Sequence, residues 1–224
     1  MPTSAEHSTR NLGKQLESLL LRPDFGARLD QLNRYPARKV VNPLFALLCH
    51  SDEMLRWRAI SAFGQVVSQL AEQDLESARV IMRRLMWSLN DESGGIGWGA
   101  PEAMGEIMAR SEQLAVEFSH ILVSFIWEDG NYLEHPLLQR GVLWGLGRLA
   151  ETRPQLLGDA PQYLLPFLDA TDPALRGLAV LVLTRLGAAL PPEVRRRLQD
   201  DPATIRIYRD FQIQDYPVSN LVAD

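Results

Sequence analysis

A helical pattern recurs four times along this chain, in the segments Trp57–Gly64, Trp98–Gly105, Arg140–Gly147 and Arg176–Leu183. Small or apolar residues fall in register at Ala59, Ala100, Val142 and Leu178, and the segments end at intervals of 41, 42 and 36 residues. A fixed period near forty residues is the mark of stacked helix pairs, because one pair cannot bury its apolar face alone and needs its neighbour to do so.

Each patterned segment follows a turn that ends in an acid: Ser51-Asp52, Asn90-Asp91, Glu128-Asp129 and Thr171-Asp172. An Asp carboxylate there accepts from the free amides of the next helical turn, so these four acids are predicted helix caps. Ahead of each turn apolar residues recur at helical spacing, which predicts the first helix of each pair (A) over Arg38–Cys49, Leu75–Leu89, Gln113–Trp127 and Pro161–Leu168. The second helix (B) follows each turn. Pro101, Pro136 and Pro173 sit near the B-helix starts, where a missing N–H costs nothing. Gly64, Gly105, Gly145, Gly147 and Gly177 lie inside the helical patterns, at ~1 kcal/mol each relative to alanine. Close approach between stacked helices accounts for them.

The flanks complete the stack. Residues 1–36 read as an N-terminal helical cap, with helices over Asn11–Arg22 and Asp24–Asn33; residues 37–190 hold four repeats; residues 191–224 hold a short helix, Pro191–Gln199, and a C-terminal appendage. In the appendage Thr204–Tyr208 and Gln212–Tyr216 alternate apolar and polar residues around Arg209-Asp210-Phe211, which predicts a two-stranded hairpin, and Ser219 is placed to cap a last helical turn. The expected architecture is one continuous all-α domain, a right-handed α-α superhelix with a small C-terminal β-hairpin. A chain of 224 residues can bury such a core without metals or disulfides.

Net charge narrows the partners: at -5, the chain repels a phosphate backbone, so no nucleic acid is expected. The single Cys49 has no disulfide partner and stands beside Leu47 and Leu48 in what reads as a helix core, which suits a reducing compartment. Neither a signal peptide nor a membrane-spanning run is legible, so a cytoplasmic protein, monomeric or weakly oligomeric and free of membranes, is expected.

From Asp52 to about Leu190 the chain resembles the HEAT-repeat superfamily, and its short units look like the HEAT-like repeats named after phycobilisome lyases. The resemblance implies a scaffold, adaptor or binding surface, with smaller branches acting as bilin lyases, deoxyhypusine hydroxylases or alkylpurine DNA glycosylases. The hydroxylase branch needs His-Glu pairs at the repeat-helix starts to hold two irons. Here those positions are Trp57-Arg58, Trp98-Gly99, Arg140-Gly141 and Arg176-Gly177. The glycosylase branch needs a basic groove, which the acidic balance opposes.

Two turns are expanded. Asn90–Glu102 contains four glycines around Trp98, and Trp127–Pro136 follows it in the next repeat. Insertions of the same type emerge on one edge of a solenoid, which brings Trp98, Tyr132, Glu134 and His135 together, framed by Asp91, Glu92, Glu102, Asn131, Arg140 and Trp144. Aromatic anchors beside acids are the composition of interface hot spots, so these ten residues are the expected partner-binding set, and the acids favour a cationic or amine-bearing partner. Gly95–Ala100 fits a dinucleotide-binding pattern formally, but a helix precedes it where that motif needs a strand. Glu102, Glu106 and His135 make at most a sparse metal site, and no nucleophile-base pair is legible; no catalytic residues, cofactors or metals are expected. The function that follows is a non-catalytic adaptor for a protein or peptide. The alternative is small-molecule or cofactor handling in a pocket near Trp98.

Overall fold

The computed structural model describes residues 4–89 and 97–222, with side chains from residue 11 onward. Helix α1 (Ser4–Leu20) and a 3-10 segment (Gly26–Arg34) lead into four pairs: α2 (Ala37–Leu48) with α3 (Glu53–Gln73), α4 (Leu75–Ser88) with α5 (Ala100–Arg110), α6 (Glu112–Ser124) with α7 (Pro136–Thr152), and α8 (Ala160–Leu164) with α9 (Pro173–Arg185). Helix α10 (Pro192–Gln199) and strands β1 (Thr204–Arg209) and β2 (Gln212–Pro217) follow. None of the described helices is long and apolar enough to cross a membrane.

The B helices α3, α5, α7 and α9 pack side by side as an inner layer, and α2, α4 and α6 lie against them on the outside. The inner layer is the more deeply buried, and its closest approach is between α5 and α7. There the backbones of Gly105 and Gly145 meet, and a β-carbon on Gly105 would stand 2.6 Å from the carbonyl oxygen of Gly145. At the N-terminal side the buried Arg58 of α3 donates from Nη1 to the carbonyls of Leu20 at 2.7 Å and Arg22 at 2.9 Å. A cation thus serves the Leu20 carbonyl at the end of α1 and joins the Phe25 amide on that of Arg22.

The caps follow expectation in part. Asp52 accepts from the Leu55 amide at 2.9 Å and Asp172 from the Ala174 amide at 2.9 Å. In the third repeat the cap is not Asp129 but His135, whose Nδ1 accepts from the Leu137 amide at 3.2 Å. The expanded turn leaves Asp129 too far from a helix that starts only at Pro136. Asp91 lies outside the described residues, and α5 starts from Gly99 at φ 75°, a conformation that favours glycine.

Other boundaries also differ. In place of the α-helix expected over Asp24–Asn33 stands a 3-10 segment, Gly26–Arg34. The helix expected to reach Trp127 ends at Ser124. The last A helix divides at Leu164–Leu165 into α8 and a 3-10 turn, because Pro166 has no N–H to continue the ladder. Ser219 lies inside the 3-10 turn Val218–Leu221, whose preceding residue is Pro217, and does not cap it. Cys49 is exposed, since it ends α2 and points away from the layer that buries Leu47 and Leu48.

The hairpin stands where the alternation placed it, and its position is the main addition to the repeat pattern. Arg209 pairs with Gln212, so Asp210 and Phe211 form a two-residue turn, both at positive φ (50° and 62°). Asp210 tolerates that conformation and Phe211 does not, but the Phe211 ring packs edge-on against Phe25 with centroids 5.6 Å apart and lies over Gly26. Ile205 occupies the space that a side chain on Gly177 would need. Tyr208 stacks on Trp57 at 5.1 Å, shares a hydrogen bond with Ser61 Oγ at 2.9 Å, and accepts at its carbonyl from Trp144 Nε1 at 3.1 Å. The hairpin therefore crosses the inner face of the B layer, from α9 to the N-terminal helices.

Candidate functional site

The first turns of α3, α5, α7 and α9 converge on one edge, and β1 closes the remaining side. Between them lies a groove of about 760 Å³. Trp57 and Trp144 pack at 4.9 Å between centroids and both line it, while Tyr208 stacks on Trp57 from outside the groove and is held there by the Trp144 and Ser61 hydrogen bonds. Trp98 stands across the groove with its ring edge-to-face against His135 at 5.1 Å.

The charges in the groove pair off unevenly. Arg140 Nε bonds Asp172 Oδ2 at 2.6 Å, and Arg206 Nη1 bonds Glu53 Oε2 at 2.7 Å. Among the described residues Arg56 reaches only the His50 carbonyl, at 3.5 Å, which is long for a hydrogen bond. Glu102 is different. Its Oε2 is enclosed and has no hydrogen-bond partner, while the residue as a whole is partly exposed along the groove. The carboxyl fits there because residue 141 is glycine: a β-carbon on Gly141 would lie 2.5 Å from Oε2. Burial pushes the Glu102 carboxyl up to about 7, against the smaller opposing effects of its own backbone amide and the Arg56 charge.

The ten expected residues separate into groups. Trp98, Glu102, Arg140 and Trp144 line the groove, and His135 touches it through Trp98. Tyr132 is held by Gln139 at 3.0 Å and Asn131 by Ser124 at 3.0 Å; neither lines the groove, nor does the exposed Glu134. Asp91 and Glu92 lie outside the described residues. Sequence reasoning misses Arg56, Trp57, Asp172 and Arg206 as site residues. Trp57 is recoverable, since it occupies the same repeat position as Trp98 and Arg140 and so faces the same edge. Cys49, read from its neighbours as part of a helix core, lines the groove.

Across the hairpin lies a smaller cavity of about 250 Å³ whose wall is an ionic ladder. The buried Glu106 accepts from Arg110 Nε at 2.8 Å and Arg148 Nε at 2.7 Å, and Glu151 bridges Arg148 and Arg185. Glu106 thus faces two arginines and does not join Glu102 in a metal site; among the described residues no cluster of three or more metal-ligating side chains stands together.

Residues 136–186, the α7-to-α9 unit, match the family model described as HEAT-like repeat. An uncharacterised protein of Archaeoglobus fulgidus is 34% identical over 110 residues, or 48% of this chain and 52% of that protein. The chain thus spans about half the length of that relative. Among solved structures, a designed armadillo repeat protein in complex with the peptide (KR)4 is similar over 83% of this chain and 86% of its own, with 18% identity and a TM-score of 0.45. A second designed armadillo repeat protein covers 92% of this chain and 95% of its own, at 15% identity and a TM-score of 0.48.

Proposed function

We propose that this chain, a solenoid of the HEAT-repeat superfamily, is a non-catalytic adaptor whose B-helix groove receives a segment of a protein partner. The observation that carries the reading is that Trp57 and Trp144, packed together and backed by Tyr208, line one open groove with Trp98. Large rings held in one orientation lose little freedom on binding and are the usual anchors of an interface. The reading shifts the binding site from the two expanded turns to the groove between the starts of the B helices. A photo-crosslinking residue at Leu137, which is 48% exposed and lines the groove, tests this against one at Trp87, 68% exposed on the outer layer. In the native host's extract the expected result is a discrete crosslinked product from position 137 that is lost in Trp98→Ala and absent from position 87. Identical products from both positions would remove the groove from consideration.

One observation favours a second reading, as a small-molecule carrier. The groove's volume lies within the ~300–1,000 Å³ of ligand pockets. Native mass spectrometry of protein purified from its host distinguishes the two: a stoichiometric bound compound supports the carrier, and a bare chain removes it.

A further inference from the structure

We propose that the groove binds a basic peptide segment by seating the guanidinium or ammonium of one Arg or Lys side chain against the Glu102 carboxylate. This inference rests on the reading of the groove as a peptide site and names the chemistry of its occupant. Its first support is the way the groove's own charges are used. The other two acids lining it are taken, Asp172 by Arg140 and Glu53 by Arg206, and Glu102 is the one acid of the groove left without a bonded cation among the described residues. A carboxylate with one oxygen enclosed and unpartnered is costly to ionise, and a cation seated against the part of Glu102 that the groove exposes offsets that cost through space.

The nearest cation of the chain does not fill this role. Arg56 acts on Glu102 only through space, and its guanidinium turns toward the His50 carbonyl. It remains available to the carbonyls of a bound backbone. Gly141 makes room for the carboxyl, and a side chain there would displace it. Trp57 and Trp98 line the same groove, and indole faces attract cations. The lining as a whole is balanced, with Arg56, Arg140 and Arg206 against Glu53, Glu102 and Asp172, so the choice is local: an acidic side chain seated at Glu102 would meet the ionised carboxyl as a like charge, and a basic one would not.

Proton linkage follows from the same burial. With its carboxyl held near 7, Glu102 must lose a proton to pair with a cation, so binding weakens as pH falls. The charged and titratable groups around it come from every wall: Glu53 and Arg56 from α3, Arg140 from α7, Asp172 before α9 and Arg206 from β1. The turn after α2 adds His50, whose Nδ1 accepts from the Asp52 amide, and Cys49. His135 stands against Trp98, and either imidazole would also oppose a cation on gaining a proton, so the part of the pH response that belongs to Glu102 is the part that Glu102→Gln removes.

The test is selection of a phage-displayed random dodecapeptide library on the wild type, Glu102→Gln and Trp98→Ala, each first shown to be folded by its circular dichroism and melting transition. The expected result is peptides sharing an Arg or Lys, bound about tenfold or more weakly after that residue becomes norleucine, and equally weakened by Glu102→Gln. The two changes together should cost little more than either alone, and the loss of affinity from pH 8 to pH 6 should be smaller in Glu102→Gln. Selected peptides that require Trp98 but carry no shared basic residue and ignore Glu102→Gln would overturn the proposal and leave the groove as a peptide site. Failure to select any peptide that depends on Trp98 would overturn both.

Discussion

Gly105 of α5 and Gly145 of α7 touch through their backbones, with no space between them for even a methyl group. The contact sets the spacing of the two central B helices, and through it the distance between Glu102 and Gly141 one turn away. Gly105→Ala should therefore lower stability by roughly 2–3 kcal/mol, although alanine is the better helix former by ~1 kcal/mol. Gly13→Ala, with nothing within 4 Å of the added carbon, should gain up to ~1 kcal/mol. Urea denaturation of both variants measures the contrast.

Stability should fall as pH rises through the window from 4.5 to about 7, where the folded Glu102 holds a proton that the unfolded chain has lost. The folded value is raised, so the stabilising contribution is present below 4.5, is lost by about 7 and stays lost above it. The loss is at most about 3 kcal/mol, since a tenfold difference in proton affinity between the folded and unfolded chain corresponds to ~1.4 kcal/mol. Glu102→Gln should abolish this slope and be more stable than the wild type at pH 8, as chemical denaturation at pH 5 and pH 8 will show.

Replacing Arg58 by Met keeps much of the buried volume and removes the donors to the Leu20 and Arg22 carbonyls. The expected cost is about 2–4 kcal/mol, the range for a buried charged hydrogen-bonding group that loses its role. Hydrogen exchange should accelerate first over Leu16–Asn33, the part of the chain that those bonds tie to α3.

The turn at Asp210-Phe211 separates two effects at one position. Phe211→Ala and Phe211→Gly both lose the ring contact with Phe25, but only glycine relaxes φ 62°. Both variants should be destabilised, Phe211→Gly by about 1 kcal/mol less. An equal loss would mean that the turn carries no strain.

The repeat helices are legible because each is written locally, in apolar spacing and in a capping acid such as Asp52 or Asp172. The hairpin strands are legible for the same reason, through their alternation. The docking of the hairpin is not, because it depends on pairs such as Ser61 with Tyr208, 147 residues apart, which leave no local pattern. Arg206 escapes notice on that account, since it reaches the groove only because β1 folds back over the B layer. Cys49 is misplaced because its apolar neighbours describe the helix it terminates, not the direction in which its own side chain leaves. The unusual state of Glu102 depends on Gly141 in the next repeat, and nothing in the residues around a glycine says which distant side chain it makes room for.

Phe211 resting on Phe25 gives the solenoid a clasp. An open array of repeats behaves like a coil spring, exchanging energy mainly between neighbours and able to fray from either end while its middle holds. Here the last elements are wedged against the first, so bending the coil outward must first draw Phe211 off its seat. Curvature becomes a fixed dimension of the molecule. Whatever enters the groove meets walls of set width, and it is selected by its fit rather than by how far the stack can wrap around it.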